Sequence, residues 1–112
     1  MLKPGDVVEL DLGAPSGSEA GMIRPAVVVT AGRILRGGPN VVQVVPLTRT
    51  IRNSSAEVVI EADEDNGLRA PSAAQCQHVR SVAVGRIGLH IGHVGPVALQ
   101  QIRSVLAVIF DL

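Results

Sequence analysis

Valine and isoleucine dominate the apolar residues of this chain and restrict the folds open to it. The 112 residues include eighteen valines and eight isoleucines, interrupted by 12 glycines and seven prolines, with Phe110 as the single aromatic residue. β-Branched side chains suit the pleated surface of a strand, whereas glycine and proline occur where strands end or turn. The composition therefore predicts a mainly β chain built from short strands.

The alternation of apolar and polar residues places the strands and one helix. Pro96 suits a first helical position, and apolar residues then recur every three or four positions through Ile109. Five or six strands are predicted before this helix, in segments 7–12, 25–30, 41–47, 56–61, 73–84 and 86–94. The segment 73–84 is expected to hold one or two of these short strands. Loops or turns are predicted between them, at residues 13–23, 32–40, 48–55 and 63–67. This spacing favours a small barrel or sandwich, as one domain spanning residues 1–112.

Composition also narrows the class of protein. The chain is 46% hydrophobic and 18% charged, which disfavours disorder. Its apolar runs are too short to span a bilayer, and its first residues lack the apolar stretch of a signal peptide. The single cysteine, Cys76, permits no intrachain disulfide, as is typical of the reducing cytoplasm. We therefore expect a cytoplasmic protein that does not associate with membranes.

The charges cancel in number but are separated along the chain. Ten basic and ten acidic residues give a net charge of zero. No acid lies between Glu19 and Glu57, so that this window is +5 and the remainder of the chain is −5. The window contains five arginines: Arg24, Arg33, Arg36, Arg49 and Arg52. Such a stretch fits a nucleic-acid partner, and it equally fits a solvated arginine surface with no partner.

The histidines and the cysteine do not form a recognisable metal or nucleophile motif. His90 and His93 lie three apart in a predicted strand, which puts them on opposite faces. Cys76 and His78 are two apart and share a predicted face, but neighbours on one strand seldom aim at each other as nucleophile and base. No spacing matches a zinc site, a phosphate loop or a dinucleotide fingerprint. We therefore expect neither a metal nor a cofactor.

Arg24 and Thr48 are the residues best placed for chemistry. Arg24 joins a loop to the buried strand that begins at Pro25, and Thr48 follows the strand 41–47. If the two strands pair, both residues face one rim of the barrel. A guanidinium and a hydroxyl together suit the stabilisation of a pentacoordinate phosphorane without a metal. An arginine that merely anchors a loop fits the same pattern.

Several motifs resemble the MazF/PemK family of toxin endoribonucleases. They cover nearly the whole chain: Lys3-Pro4-Gly5-Asp6-Val7 ahead of Asp11-Leu12, the block Gly17-Ser18-Glu19 with Arg24-Pro25 and Ala26-Val27-Val28-Val29, and Val44-Val45-Pro46-Leu47-Thr48. The apolar C-terminal helix and the length agree as well. The resemblance implies an SH3-like barrel of the MazF/CcdB type, a homodimer, and a cytoplasmic bacterial toxin–antitoxin module.

The resemblance also implies an activity and its residues. Family members cleave single-stranded RNA at short sequences without a metal, by attack of the ribose 2′-hydroxyl on the adjacent phosphate. By position, Arg24 matches the catalytic arginine and Thr48 the catalytic threonine, while Glu19 matches a loop acid that lies near the substrate. The further candidates for RNA binding or support are Ser18, Arg49, Gln77, His78 and Arg80. A structural loop carboxylate fits Glu19 equally well.

The chain departs from the family pattern at its candidate base. Residues 75–81 resemble the family strand that ends in Gln-x-Arg-Thr/Ser, but His78 replaces the glutamine. Gln77 stands where some relatives carry an acid that serves as general base, and an amide cannot accept a proton. His78 is a conceivable substitute, because imidazole exchanges protons near neutral pH. A purely structural histidine is the alternative.

Two other functions compete with RNA cleavage. A CcdB-like toxin of the same fold acts by protein contact, but that class relies on a C-terminal tryptophan and this chain has none. A catalytically silent relative that binds only RNA or its antitoxin is the second alternative. The resemblance implies a MazE-like antitoxin with an acidic, disordered tail, for which residues 20–56 offer the complementary charge.

Overall fold

The computed structural model describes residues 1–11 and 23–112, which form seven strands and two helices. In chain order these are β1 (Asp6–Asp11), β2 (Ile23–Val28), α1 (Gly32–Leu35), β3 (Val41–Thr48), β4 (Glu57–Ile60), β5 (Ser72–Gln75), β6 (Arg80–Ala83), β7 (Ile87–His93) and α2 (Gly95–Phe110). Single 3₁₀ turns at Cys76–His78 and Val84–Arg86 flank β6. The predicted mainly β fold with a C-terminal helix is confirmed.

All strand pairs are antiparallel, and β3 lies at the centre of the sheet. The strand order is β4-β5-β3-β2-β1-β7, and β6 also pairs with β3. Along β3, Val41 to Val44 pair with β6, and Leu47 and Thr48 pair with β5. The strands at the two ends of this order, β4 and β7, do not pair with each other in the described part of the chain. The sheet is therefore not closed.

The central strands are buried on both faces because apolar residues occupy both sides of the pleat. Val7, Val27 and Val45 point into one core cluster, which α2 covers with Ile102. The alternate residues of the same strands form a second cluster: Val8, Leu10, Ala26, Val28, Val42 and Val44. Leu35 of α1 packs into this second cluster. The two clusters thus lie on opposite faces of β1, β2 and β3, with α2 packed on the first cluster and α1 on the second.

The structure differs from the sequence predictions at α1 and in the number of strands. The segment 32–40 was expected to be a loop, but its first residues form α1, which places Leu35 against the second core cluster. Only Ile34 and Leu35 in that segment are apolar, too few for a helical period to be visible. The expected five or six strands are seven. Residues 73–84, expected to hold one or two short strands, hold β5 and β6, because the 3₁₀ turn at Cys76–His78 separates them.

Helix α2 follows its predicted pattern for most of its length. It begins at Gly95 with Pro96 in its first turn. Leu99 and Ile102 are buried, whereas Ile109, near the C-terminal end, is exposed. No helix in residues 1–11 and 23–112 is long and apolar enough to cross a membrane.

Candidate active site

Arg24 and Thr48 face each other across the two central strands. Strands β2 and β3 pair antiparallel, with Ala26 opposite Pro46 and Val28 opposite Val44. Extending this register by two residues sets Arg24 opposite Thr48. Both residues line the same two cavities, as expected if the two strands pair. Arg24 is exposed, while Thr48 is 8% exposed at the end of β3.

The hydroxyl of Thr48 is positioned by the loop that follows it. The backbone N–H of Thr50 donates a hydrogen bond of 3.1 Å to Thr48 Oγ1. This bond occupies one lone pair of the oxygen and leaves the hydroxyl proton free to be donated. Thr48 therefore presents a donor of fixed position beside the Arg24 guanidinium.

The first cavity, which we call the β6 groove, has a volume of about 960 Å³. It lies between the start of β6 and the loop that follows β3. Its lining is rich in cations and hydrogen-bonding side chains: Arg24, Thr48, Thr50, Arg52, Gln75, Gln77, His78 and Arg80, with Pro46 and Val79. No carboxylate belongs to the described residues that line it. The β6 groove is thus suited to an anion.

Backbone hydrogen bonds hold the loop that carries Arg52 against the sheet. The Arg52 N–H donates to Glu57 Oε1 at 3.2 Å, and the Cys76 N–H donates to the Ala56 carbonyl at 3.1 Å. Ser54 Oγ accepts the Ala56 N–H at 3.0 Å, and Asn53 adopts a φ of 55° at the tip. The loop is therefore tied to β4 and to the turn after β5.

The second cavity, which we call the β7 groove, has a volume of about 660 Å³ on the other side of Arg24 and Thr48. Its cations are Arg24, Arg49 and Arg69, Glu9 is the carboxylate among them, and His90 also lines it. Its apolar lining consists of Ile23, Leu47, Leu68, Leu89 and Ile91, with Pro25. The β7 groove combines positive charge with an apolar wall, unlike the β6 groove.

A tightly bonded turn fixes one wall of the β7 groove. Asn66 is 1% exposed, and its side-chain oxygen accepts the N–H groups of Asp63 and Leu68 at 3.1 and 3.0 Å. Its amide nitrogen donates to the Glu61 carbonyl at 2.8 Å. This turn packs against Gly92 of β7, where any side chain would strike its backbone. Arg69 is thereby held beside β7.

The structure brings together five of the predicted site residues in the β6 groove. Arg24, Thr48, Gln77, His78 and Arg80 come from three separate segments and line this one cavity. Arg49 lies on the opposite side, in the β7 groove. Ser18 and Glu19 lie outside the described residues.

Of the five arginines between Glu19 and Glu57, Arg24, Arg49 and Arg52 line the grooves. Arg33 and Arg36 lie in or beside α1 and line neither groove. Arg69 and Arg80, from outside the window, take their place. Counting charge along the chain could not identify these two, because strand pairing brings them in from the acid-rich half.

Cys76 and His78 do not share a face. The 3₁₀ turn buries Cys76 completely in the first core cluster and leaves His78 exposed. Burial raises the pKa of the Cys76 thiol from its ordinary value of 9.0 to about 11, an effect only partly offset by a backbone hydrogen bond. A thiol in this environment stays protonated and acts as a core side chain.

His90 and His93 were expected on opposite faces, and this expectation is wrong. In the pairing of β7 with β1, Gly92 is opposite Val7 and His90 is opposite Val8, so that Ile91 is an extra residue in β7. This bulge brings both histidines to one further cavity of about 690 Å³, together with Asp6. Sequence spacing alone gives no sign of a bulge. Within the described residues, no three His, Cys, Asp or Glu side chains form a group that could hold a metal ion.

The whole chain is similar to known toxins in sequence. The family model for the PemK-like, MazF-like toxin of type II toxin–antitoxin systems matches residues 3–110. The chain is 34% identical to Endoribonuclease MazF9 of Mycobacterium tuberculosis over 116 residues, which cover 100% of this chain and 98% of that protein. It is 29% identical to Endoribonuclease MazF3 of the same species over 89 residues, covering 80% of this chain and 84% of that protein.

Solved structures share the fold. The Mycobacterium tuberculosis toxin MazF-mt6 matches with a TM-score of 0.77 at 25% identity, covering 96% of this chain and 97% of that chain. A MazE–MazF structure from Deinococcus radiodurans matches with a TM-score of 0.80 at 22% identity, covering 99% and 96%. The chain therefore belongs to the PemK-like, MazF-like toxins of type II toxin–antitoxin systems. Within that family it is a MazF-like endoribonuclease toxin.

Proposed function

We propose that this toxin cleaves single-stranded RNA, without a metal, at the ridge formed by Arg24 and Thr48 between the β6 and β7 grooves. The observation that carries the proposal is that these two side chains lie at the ends of paired central strands and line both grooves. A strand of RNA crossing the ridge would place a phosphate against a guanidinium and a hydroxyl donor. We further propose that one domain, residues 1–112, carries this activity.

Cleavage by this route forms no covalent bond to the protein. The protein is needed to stabilise the negative charge of the transition state. The ribose 2′-hydroxyl gives up its proton to water and its oxygen forms a bond to phosphorus, the bond from phosphorus to the 5′-oxygen breaks, and this oxygen takes up a proton from water. The products are a 2′,3′-cyclic phosphate and a 5′-hydroxyl. Arg24 donates in a planar fork to the phosphoryl oxygens, and Thr48 donates its free hydroxyl proton. Donors preorganised for the charge of the transition state typically contribute about 10²–10³-fold each to the rate.

The remaining predicted residues are proposed to hold the RNA on either side of the ridge. Arg80, Gln77 and His78 supply donors in the β6 groove, and Arg49 supplies a cation in the β7 groove. Cations that follow the backbone account for most nonspecific affinity for nucleic acid. Ser18 and Glu19, which lie outside the described residues, are also proposed to support the substrate.

Incubation of the purified full-length protein with a mixed RNA pool in EDTA tests the proposal. We expect cleavage at a limited set of sequences, with new ends that carry a 5′-hydroxyl. Arg24→Ala is expected to lower the single-turnover rate by about 10²–10³-fold. Intact RNA over a wide range of wild-type concentrations would overturn the proposal.

Arg33→Ala is the matched control for Arg24→Ala. Arg33 is an exposed arginine of α1 that lines neither groove, so this change removes the same charge elsewhere. We expect its cleavage rate to stay within about 2-fold of wild type, since surface substitutions away from a site have small effects. Equal losses in the two variants would assign the effect to net charge and would contradict a role for Arg24 at the ridge.

We also propose that an antitoxin with an acidic tail covers the same grooves. Structures from Deinococcus radiodurans contain MazE with MazF, and a mycobacterial endoribonuclease was solved with its cognate antitoxin. The β6 groove here offers Arg24, Arg52 and Arg80 with no carboxylate in its described lining. Affinity for such a tail is expected to weaken as salt screens these charges. A complex whose dissociation constant ignores ionic strength would contradict this proposal.

The protein is proposed to act as a homodimer in the cytoplasm. Exposed apolar side chains at the end of α2, among them Val108 and Phe110, support a partner on that face. The dimer is tested by sedimentation of the purified chain. A monomer at concentrations that still cleave RNA would overturn it.

A further inference from the structure

Glu9 is the one acidic residue among the described residues that line the β7 groove. It is opposite Pro25 in the pairing of β1 with β2, so both side chains lie on the face that lines this groove. Within the described residues, its carboxylate takes part in no hydrogen bond and no ion pair. His90, by contrast, has its Nε2 3.2 Å from Asp6 Oδ1. Glu9 is therefore an acceptor without a partner, next to the strand that carries Arg24.

Gly88 of β7 leaves space beside this carboxylate. A Cβ on Gly88 would lie 3.7 Å from Glu9 Cβ and 3.9 Å from Glu9 Oε1, so the glycine faces Glu9 directly. A cavity of about 210 Å³ lies here, which we call the Gly88 pocket, and it shares Glu9 and Ile23 with the β7 groove. The other residues that line it are Asp11, Gly85, Arg86, Ile87 and Gly88 itself.

Arg86 supplies a second polar group to the Gly88 pocket. Its Nη1 donates to the Asp11 carbonyl at 3.3 Å, which holds the guanidinium at the end of β1. Asp11 is opposite Ile23, the residue before Arg24. A guanidinium has five N–H donors, so donors remain after this bond. Glu9 and Arg86 form no ion pair with each other in the described part of the chain, so both are available to a ligand.

Exposed aliphatic side chains border the same place. Ile23 is 68% exposed and Leu89 is 70% exposed, and both line the β7 groove. The flat face of a nucleobase laid against them would remove apolar area from water, which is favourable. The occupant that fits is therefore planar, with hydrogen-bonding groups along its edge.

Guanine is the RNA base whose edge matches Glu9 and Arg86 together. Its N1–H and N2–H groups are neighbouring donors that one carboxylate accepts as a pair, and its O6 and N7 are acceptors that arginine binds. Adenine and cytosine place a ring acceptor next to their amino group, and uracil flanks its single N–H with two carbonyl oxygens. Each of these would set an acceptor against Glu9. In single-stranded RNA this edge of the base is free to be bound.

We propose that Glu9 and Arg86 select guanine at a nucleotide next to the cleaved bond; this inference rests on the proposed function. With ordinary strand spacing, Glu9 lies about 5 Å from the strand of Arg24 and about 10 Å from the strand of Thr48. One nucleotide covers this span, with its phosphate at the ridge and the far edge of its base in the Gly88 pocket. Glu9 and Arg86 determine specificity and take no part in the bond-breaking step.

The first test maps the 5′-hydroxyl ends that the wild type produces from a mixed RNA pool in EDTA. We expect the cut sites to share a guanine at one of the two nucleotides that flank the cleaved bond. A short RNA of the mapped sequence is then made with inosine at that guanine, which removes the N2 amino group alone. We expect kcat/KM of the wild type to fall by about 10-fold on the inosine RNA.

Glu9→Gln is expected to bring the ratio of kcat/KM for guanine and inosine RNA to within about 2-fold of unity, because an amide offers one acceptor where the carboxylate offers two. Both RNAs are assayed on one preparation, so a folding defect would lower both rates and leave the ratio unchanged. Glu64→Gln is the matched control, since Glu64 is exposed and lines neither the β7 groove nor the Gly88 pocket. It should keep the ratio of the wild type.

Arg86→Met tests the other side of the base with 7-deazaguanine, which lacks the N7 acceptor. We expect the wild type to cleave the 7-deazaguanine RNA about 5–10-fold more slowly than the guanine RNA. Arg86→Met, which has no donor, is expected to cleave the two within about 2-fold of each other. Arg33→Met, in α1, is the control and should keep the difference seen in the wild type.

The outcomes separate this inference from the proposed function. Cut sites without a shared flanking guanine would overturn the inference and leave the proposed function intact. Preferences that persist in both Glu9→Gln and Arg86→Met would also overturn it, because another part of the protein would then bind the base. A preference lost in one variant alone would remove the other residue from the proposal. If the wild type cleaves no RNA, the proposed function fails and the inference fails with it.

Discussion

The β6 and β7 grooves share Arg24 and Thr48 but differ in nearly every other respect. The β6 groove carries arginines, amides and His78, with no carboxylate in its described lining. The β7 groove is smaller and partly apolar, and it contains the carboxylate of Glu9. One side of the ridge is therefore suited to holding a polyanion, whereas the other combines positive charge with an apolar wall.

The difference follows from how each groove is built. The β6 groove lies against the loop that carries Arg52 and against a 3₁₀ turn whose Gln77 and His78 are exposed. The β7 groove lies against a bulged strand and a turn fixed by the hydrogen bonds of Asn66. Polar loop and turn residues thus line one groove, whereas apolar residues of a sheet edge line much of the other.

The largest expected effect comes from the residue that both grooves share. Thr48→Val keeps the shape of the side chain but removes the hydroxyl donor, and we expect single-turnover cleavage to fall by about 10²–10³-fold. The Thr50 N–H, next to solvent, would lose its acceptor at a small cost in stability. Quench-flow or gel assays of a defined RNA measure the rate.

Thr48→Ser is the control for this prediction, because it keeps the hydroxyl. We expect its rate to stay within about 10-fold of wild type. If Thr48→Ser and Thr48→Val lowered the rate equally, loss of the hydroxyl donor could not explain the effect. Thr48 would then have no role as a donor in the cleavage step.

The next effect concerns Cys76, the buried cysteine of the 3₁₀ turn beside the β6 groove. Below pH 9 the Cys76 thiol is protonated in the folded and the unfolded chain. Between pH 9 and about 11 only the unfolded chain ionises, so the free energy of unfolding is expected to fall by about 2–3 kcal/mol across this window. Denaturant unfolding as a function of pH measures this. The chain has no tyrosine and Lys3 as its one lysine, so few other groups titrate there.

Cys76→Ala is expected to remove that alkaline loss while retaining RNA cleavage. The substitution leaves a small void in the first core cluster and costs about 1 kcal/mol at neutral pH. An alkaline decline that persists in the alanine variant would show that another group causes it. Loss of cleavage in a folded variant would instead place the thiol in the chemistry.

The smallest effect tests whether RNA spans both grooves. Arg80→Gln removes a cation from the β6 groove and Arg69→Gln removes one from the β7 groove. We expect each to weaken RNA binding by about 3–10-fold and to reduce the dependence of log Kd on log salt by about 0.7. Fluorescence anisotropy at several salt concentrations measures both quantities. Arg103→Gln, on α2, serves as the control and should change neither.

An effect of only one of these two variants would show that RNA does not span both grooves. If only Arg80→Gln altered the salt dependence, RNA would lie on the β6 side alone. If both changes act and the double variant loses about twice the slope, the RNA backbone crosses the ridge.

Much of the fold was accessible from the sequence because its signals are local. The valine-rich runs gave β1, β2 and β3, and the three-to-four period after Pro96 gave α2. Two features were not accessible. The short helix α1 has too few apolar residues to show a period, and the position of the turn at Cys76–His78, which separates β5 from β6, carries no local signal. Tertiary packing, and not local propensity, determines both.

Sequence reasoning identified only those site residues that belong to a family motif. Resemblance to the family pattern pointed to Arg24, Thr48 and Arg80, and strand pairing brings these together. Arg69 and His90 carry no motif, and alternation in β7 puts His90 and His93 on opposite faces, whereas the extra residue at Ile91 brings both to one cavity. The contact between His90 and Asp6 joins residues 84 positions apart, which no local pattern reveals.

The central position of β2 and β3 also determines how this toxin loses activity on heating. Arg24 and Thr48 terminate strands whose next residues, Ala26 to Val28 and Val44 to Leu47, are almost fully buried in the two core clusters. Segments of this kind open only with the whole domain, whereas loops and edges open at lower cost. Thermal inactivation should therefore coincide with global unfolding. A molecule that is folded at all retains a formed ridge, so heating reduces the number of active molecules and leaves the geometry of each survivor unchanged.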